Sequence, residues 1–220
     1  TGKYSEAERL RLWNGLALLA IQVNDIPIAT QFCTEIAKRD PKNLRVRQML
    51  FELICKTGKN NKETLTELEK LLGEIEAAGG QTPFSLYGRA ALLTLKSKDH
   101  PEYLDEAKEC IARAREMRTT WSRLPRLLAR IYEIEGDLDK AIDNYMQAIN
   151  LGDRDSDVVR SASQLLYRRQ RFAEAEALLR RMSDQQTTLT PDMQRVWTES
   201  LVRQGDVEMA SKTRSEERRV

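Results

Sequence analysis

The chain has 220 residues, of which 40% are hydrophobic and 32% charged, and its 36 basic side chains nearly balance its 34 acidic ones. This composition is typical of soluble, ordered, helix-favouring proteins and excludes collagen-like, mucin-like and low-complexity classes. No run of about 18 apolar residues occurs, so the sequence predicts no segment that crosses a bilayer. The net charge of +2 gives no general reason to expect nucleic acid or an anionic membrane as a partner.

The predicted elements are helices joined by short turns. Residues 5–23 have the apolar spacing of an amphipathic helix and begin with a capping-box pattern at Ser5 and Glu8. Residues 26–39 form the second predicted helix, which ends before Pro41 because proline cannot continue it. Further turns are predicted at residues 42–43, 57–61, 78–83, 135–137, 151–157, 168–171, 183–191 and 204–206.

Small residues recur at a fixed period. Ala141 and Ala175 are 34 positions apart, and Ala210 follows 35 positions later. Self-similarity at such a period indicates stacked supersecondary units.

The chain resembles the tetratricopeptide repeat, whose pattern is W-x2-L-G-x2-Y, then A-x3-F-x2-A, then P. The matches are strongest in the first and fourth hairpins and extend to the fifth and sixth. They are Trp13, Leu16, Ala17, Ala20, Ala29, Cys33 and Pro41; Leu128, Ala129, Tyr132, Ala141, Tyr145 and Ala148; Ala162, Ala175 and Leu179; and Trp197, Leu201, Gly205, Asp206 and Ala210.

Two hairpins depart from the pattern. The second has Glu63, Thr64 and Leu65 where a small residue is expected. The third places 19 positions between Gly88 and Ala107, where the pattern has about a dozen. We expect the extra residues, 96–103, to lengthen the first helix of that hairpin or its turn.

The resemblance implies an all-α fold, a right-handed α-solenoid of about six stacked helix-turn-helix hairpins in one superhelical domain. The domain covers residues 1–220, with hairpins at about 5–41, 42–80, 81–119, 120–153, 154–188 and 189–220. A generic helical bundle and other helical-hairpin repeats, including the nucleic-acid-reading pentatricopeptide class, are the alternatives. Because the chain begins with Thr1 and no leader-like stretch follows, we expect a piece of a longer protein; the compartment is left unassigned, with the cytoplasm as default.

Such solenoids bind along a concave surface lined by their first helices. The resemblance points five residues of each first helix into this groove, and we call these the groove positions. In the five hairpins that can be aligned they include ten basic and five acidic residues. They are Arg11, Asn14, Leu18, Ile21 and Gln22; Arg45, Gln48, Glu52, Cys55 and Lys56; Arg123, Arg126, Arg130, Glu133 and Ile134; Asp157, Arg160, Gln164, Tyr167 and Arg168; and Asp192, Arg195, Glu199, Val202 and Arg203.

The sequence therefore predicts a protein-binding scaffold whose Arg-rich groove holds a partner peptide or helix, with an acidic segment or a free C-terminal carboxylate as the favoured ligand. Arginine suits this role because its guanidinium pairs with carboxylates through two hydrogen bonds. The candidate partner-binding residues are Arg123, Arg126, Arg130, Arg160, Gln164, Tyr167, Arg168, Arg195, Arg203 and Asn14.

Competing interpretations accompany this prediction. The arginines can instead belong to a solvated face neutralised by Glu133, Asp157 and neighbouring acids. Binding of RNA by the same arginines, and a role as the recruiting arm of a larger enzyme, are the functional alternatives, although nucleic acid is not the favoured partner. Only Asn14 matches the Lys and Asn set of the carboxylate-clamp members of the family, so a chaperone partner is not supported.

No catalytic group, cofactor or metal site is predicted. Cys33, Cys55 and Cys110 stand singly on helical patterns and are expected to be small buried hydrophobes. His100 is the only histidine and is expected in an exposed turn. No nucleophile, base and orienting group can be assembled.

The closing segment, residues 207–220, is polar and is expected to cap the stack or, as a cut edge, to allow homodimers through the solenoid ends.

Overall fold

The computed structural model describes residues 5–57, 61–185 and 187–206, and every regular element in these ranges is an α-helix. The predicted cap or edge at residues 207–220, and the repeat position of Ala210, lie outside the described residues. The helices are α1 (Glu6–Gln22), α2 (Ile26–Arg39), α3 (Leu44–Lys56), α4 (Lys62–Gly79), α5 (Pro83–Lys96), α6 (Tyr103–Met117), α7 (Arg123–Glu135), α8 (Leu138–Asn150), α9 (Ser156–Arg168), α10 (Phe172–Asp184) and α11 (Pro191–Gln204).

Local sequence signals account for the helix boundaries. The capping box at Ser5 and Glu8 is formed, so the first helix begins where predicted. Gly136 ends α7 with φ 80°, a left-handed conformation that glycine adopts without steric cost. Of the predicted extra segment, residues 97–102 form the turn between α5 and α6, while Lys96 ends α5 and Tyr103 begins α6.

The helices form two compact units, Thr1–Thr119 and Thr120–Val220. In the first, each helix from α1 to α6 packs against the next along the chain. In the second, successive helices from α7 to α11 pack likewise, and α9 also packs against α11. Helix-turn-helix packing of this kind confirms the predicted all-α fold class; the single superhelical domain over residues 1–220 stays a prediction.

Small residues recur at buried positions of the second helices. Ala29, Ala107, Ala141 and Ala175 are in the second helices of their hairpins, and all four are completely buried. A larger side chain at such a position would push the helices apart, because protein interiors have no spare volume. The recurrence of alanine in the sequence therefore reflects helix-helix distance.

The second hairpin lacks the small residue on its second helix, and the space for packing comes from a neighbouring helix instead. Helix α4 buries Leu68, Leu71, Leu72 and Ile75, all larger than alanine. On α5, a Cβ atom added to Gly88 would lie 2.9 Å from the Leu72 side chain. Gly88 therefore provides on α5 the room that alanine provides in the other hairpins.

The close approach at Ala175 can be tested by substitution. We expect Ala175→Leu to destabilise the chain by about 1–3 kcal/mol, because added methyl groups overpack a filled interior. Ala177→Leu is the matched control on the same helix, since Ala177 is exposed, and it should change stability by no more than about 0.5 kcal/mol. Urea unfolding followed by circular dichroism measures both, and equal effects would contradict the packing argument.

Candidate binding surface

The predicted groove positions are accessible in both units. None of these side chains is buried, although several lie beside residues that are, such as Ala129 next to Arg130 and Leu165 next to Gln164. The first helices thus turn one side into the interior and leave the groove positions available. Their arginines differ, however, in the partners that the fold provides.

Arg126 is held by carboxylates of the turn between α8 and α9. Its Nη1 atom lies 3.2 Å from Oδ2 of Asp155 and 3.6 Å from Oδ2 of Asp153. The three side chains are largely withdrawn from solvent, with exposures of 27% for Arg126, 14% for Asp155 and 8% for Asp153. Asp155 also caps α9 by accepting a hydrogen bond from the backbone of Asp157. Arg126 therefore ties α7 to the start of α9.

Arg130 and Arg160 have carboxylate partners one helical turn away. Nη1 of Arg130 lies 3.5 Å from Oε2 of Glu133, and Nη2 of Arg160 lies 2.6 Å from Oδ1 of Asp157. These are the acids that the sequence suggested as neutralising partners. Exposed pairs of this kind are weak, so both arginines can exchange their partner for a ligand.

Glu133 has a second role in the interior. Its carboxylate accepts a hydrogen bond from the hydroxyl of Tyr145, which is buried on α8. Burial, as the larger cause, and this hydrogen bond, as the smaller one, both raise the pKa of the Tyr145 phenol above its ordinary value. The position of the Glu133 carboxylate is therefore fixed by Tyr145 of the same hairpin as well as by Arg130.

Four other candidates are placed by local contacts. The guanidinium of Arg123 lies 5.5 Å from the centre of the Trp121 ring. Tyr167 packs edge-on against Phe172 with ring centres 5.3 Å apart. Gln164 is half-buried on α9, and Asn14 donates its side-chain amide to the carbonyl of Leu10.

Arg168, Arg195 and Arg203 form the remaining group. All three are exposed, and within the described part of the chain no ion pair involves them. Arg168 ends α9, while Arg195 and Arg203 lie on α11, the helix that packs against α9. We call these three residues the unpaired arginines.

Asp153 and Asp155 were not predicted as partners of Arg126. A local signal existed, since Asp155 lies in the predicted turn at residues 151–157 and aspartate is a preferred N-cap. Nothing local, however, indicates that these carboxylates reach an arginine 27 and 29 positions earlier.

Among the described residues, no group of three or more His, Cys, Asp and Glu side chains is arranged to hold a metal ion. His100 is exposed, as expected, and stacks on Tyr103. No described helix is long and apolar enough to cross a membrane.

The cysteines follow the prediction in two of three cases. Cys33 and Cys110 are buried, whereas Cys55 is half-buried. Burial raises the pKa of the Cys33 thiol to about 11, so almost none of it is thiolate, the reactive form, near neutral pH.

Cys33 should therefore resist alkylation in the folded chain. We expect iodoacetamide at pH 8 to leave Cys33 unmodified in buffer and to modify it fully in urea, where burial and its effect on the pKa are lost. Mass spectrometry of the Cys33 peptide measures the modified fraction. Rapid modification in buffer would show that α2 does not shield the thiol.

The free energy of unfolding distinguishes the role of Arg126 from that of Arg160. We expect Arg126→Ala to destabilise the chain by about 1–3 kcal/mol, because Asp153 would be left buried without a cation. Arg160→Ala removes an exposed pair and should cost less than about 1 kcal/mol. Urea unfolding of both variants provides the comparison, and a smaller effect at Arg126 than at Arg160 would contradict the assignment.

Comparison with solved structures identifies the fold of the chain. No protein-family model and no curated protein sequence matches the chain. A thermophilic TPR protein of Thermus thermophilus aligns over 90% of this chain and 100% of its own, with a TM-score of 0.67 and 17% identity. PilF of Pseudomonas aeruginosa aligns over 97% of this chain and 92% of its own, with a TM-score of 0.60 and 13% identity.

A chain in the structure of the APC/C hetero-tetramer Cut9–Hcn1 is also similar. It aligns over 86% of this chain and 34% of its own length, with a TM-score of 0.62 and 16% identity. The likeness to these structures, together with the alanine spacing and the helix pairs, establishes that this chain has the tetratricopeptide-repeat fold.

Proposed function

We propose that this chain is a protein-binding scaffold that holds an acidic, extended segment of a partner against its first helices. The observation that carries the proposal is the set of unpaired arginines on α9 and α11. Three exposed guanidinium groups without a carboxylate from the described chain lie on two helices that pack together. A carboxylate ligand would supply the hydrogen bonds that these groups otherwise make with water.

The partition of the arginines supports a preformed surface. Arg126 is occupied by Asp153 and Asp155, so it stiffens the framework instead of contacting the ligand. Arg130 and Arg160 form weak, exposed ion pairs with acids of their own helices. A more acidic ligand can therefore replace those acids and bind these two arginines as well. A surface that is already rigid loses little conformational entropy on binding.

Apolar groove positions would add contact area. Ile134 on α7 and Val202 on α11 are 46% and 54% exposed, and Tyr167 on α9 is half-buried against the core of the second unit. Burial of such groups on binding removes apolar surface from water, which favours the complex. The expected ligand is therefore a peptide in which acidic and apolar residues alternate, rather than a purely acidic tract.

A protein partner accords with the Cut9–Hcn1 hetero-tetramer, in which a structurally similar chain takes part in a protein assembly. RNA is less favoured because the net charge of +2 gives no general reason to expect a polyanionic nucleic acid as a partner. We propose that the scaffold acts without catalysis of its own. A role as the recruiting arm of a larger enzyme is compatible with this function.

Peptide selection tests the groove proposal. We expect a random 16-residue peptide library displayed on phage, selected on the full chain, to yield sequences enriched in Asp and Glu. Binding of a synthetic selected peptide should fall about tenfold or more when Arg168, Arg195 and Arg203 are changed to Glu, which corresponds to at least about 1.4 kcal/mol. Fluorescence anisotropy at fixed salt measures the affinity.

The control changes the same amount of charge elsewhere. Lys42, Lys70 and Lys98 are exposed, so the triple variant with Glu at these positions should keep wild-type affinity. Equal losses of peptide affinity in the two variants would show that net charge, and not the position of the arginines, causes the effect. A selection without acidic enrichment, or tighter binding to a labelled uridine 20-mer than to any selected peptide, would overturn the proposal.

A further inference from the structure

The turns that follow the first helices α1, α7, α9 and α11 share one backbone geometry. Each contains a residue with positive φ, and the N–H of the next residue donates to a carbonyl five positions earlier. The positive-φ residues are Asn24 (56°), Gly136 (80°), Gln170 (59°) and Gly205 (83°). The bonds run from Asp25 to Ala20, Asp137 to Tyr132, Arg171 to Leu166 and Asp206 to Leu201, over 2.8, 2.9, 2.9 and 3.0 Å. The four turns can therefore be compared residue by residue.

The turn between α9 and α10 departs from the others at the positive-φ position. Two of the equivalent turns have glycine there, which adopts this conformation without steric cost. The turn after α1 has asparagine, whose short polar side chain can hydrogen-bond the local backbone. Gln170 has a Cβ atom and a longer side chain, so its conformation is strained.

The next position of this turn also departs from the pattern. Asp25 and Asp137 cap α2 and α8 by accepting a hydrogen bond from the backbone of Ile28 and Lys140. Arg171 occupies the corresponding position before α10 and gives that helix no side-chain cap. Aspartate is a preferred N-cap and arginine is not. The turn between α9 and α10 thus lacks two local stabilising features that its equivalents have.

Ion pairs on both sides hold this turn in place. Arg169 donates two hydrogen bonds to the carboxylate of Asp139 on α8, over 3.1 and 2.6 Å. Arg171 donates two to Glu174 on α10, each over 2.7 Å. A strained backbone conformation persists where the surrounding contacts fix it. The two pairs therefore fix the conformation of Gln170 between them.

The side chain of Gln170 is available at the end of α9. It is exposed, and within the described ranges its amide has no hydrogen-bond partner. The backbone N–H of Gln170 donates to the carbonyl of Tyr167 over 3.0 Å, and Arg168, one of the unpaired arginines, lies two positions before it. Tyr167 and Arg168 are both groove positions. An unused amide group is therefore presented next to the groove.

We propose that Gln170 binds the ligand of the groove and hydrogen-bonds its main chain beside the carboxylate that Arg168 binds. A side-chain amide has both donors and an acceptor, as the peptide unit of an extended segment has. Local stability rules are typically broken at functional sites, and here two are broken beside an unpaired arginine. Arginine at position 171 fits the same role, because aspartate there would repel an acidic ligand. The inference rests on the proposed function of the groove.

The variant Gln170→Gly tests the proposal without changing the charge. We expect its melting temperature, followed by circular dichroism, to rise, because glycine relieves the strain at positive φ. We expect its affinity for a synthetic acidic peptide selected on the wild-type chain to fall about fivefold or more, the effect of one lost hydrogen bond. Fluorescence anisotropy at fixed salt measures the affinity. Partial unfolding cannot produce greater stability together with weaker binding.

The equivalent turn of the first unit provides the matched control. Asn24→Gly makes the same kind of change in a unit that holds none of the unpaired arginines, so it should leave the peptide affinity at the wild-type value.

An ester series identifies the main-chain contact. In each peptide of the series, one main-chain amide is replaced by an ester, which removes one N–H donor and weakens one carbonyl acceptor. We expect at least one position at which the ester weakens binding to the wild-type chain and has no effect on binding to Gln170→Gly.

Four results would count against the proposal, and they separate it from the function of the groove. Equal affinity of wild type and Gln170→Gly, for a peptide whose binding still requires Arg168, Arg195 and Arg203, would overturn this inference alone. A lower melting temperature of Gln170→Gly would contradict the strain, and an ester series without a position specific to Gln170 would contradict the main-chain contact. A selection without acidic peptides would overturn both the proposed function and this inference.

Discussion

The packing of helices around small, buried residues organises the structure. Ala29, Ala107, Ala141 and Ala175 have no exposed surface, and a larger side chain at any of them would overpack the interior. Helix α4 buries leucines instead, and there Gly88 on the neighbouring helix provides the space beside Leu72. The repeat is thus a repeat of geometry, and its sequence can vary where a neighbour compensates.

Helices packed in this way present their remaining side in a regular order, and burial then divides the charged residues into two kinds. Arg126 is drawn into a partly buried cluster with Asp153 and Asp155, where it supports the fold. Arg168, Arg195 and Arg203 stay in solvent and are available for recognition. Identical side chains at repeat-equivalent positions therefore have different environments, because a carboxylate in a nearby turn is present in one place and absent in another.

The helices, most of their ends and the repeat architecture can be predicted from the sequence alone. They follow from local signals such as the capping box at Ser5 and Glu8, and from alanines that recur at a fixed spacing. The groove positions predicted in this way are accessible in the structure. Which arginines have carboxylate partners could not be predicted, because it depends on tertiary packing. Arg126 meets Asp155 across 29 residues, a contact between distant segments that spacing along the chain does not encode.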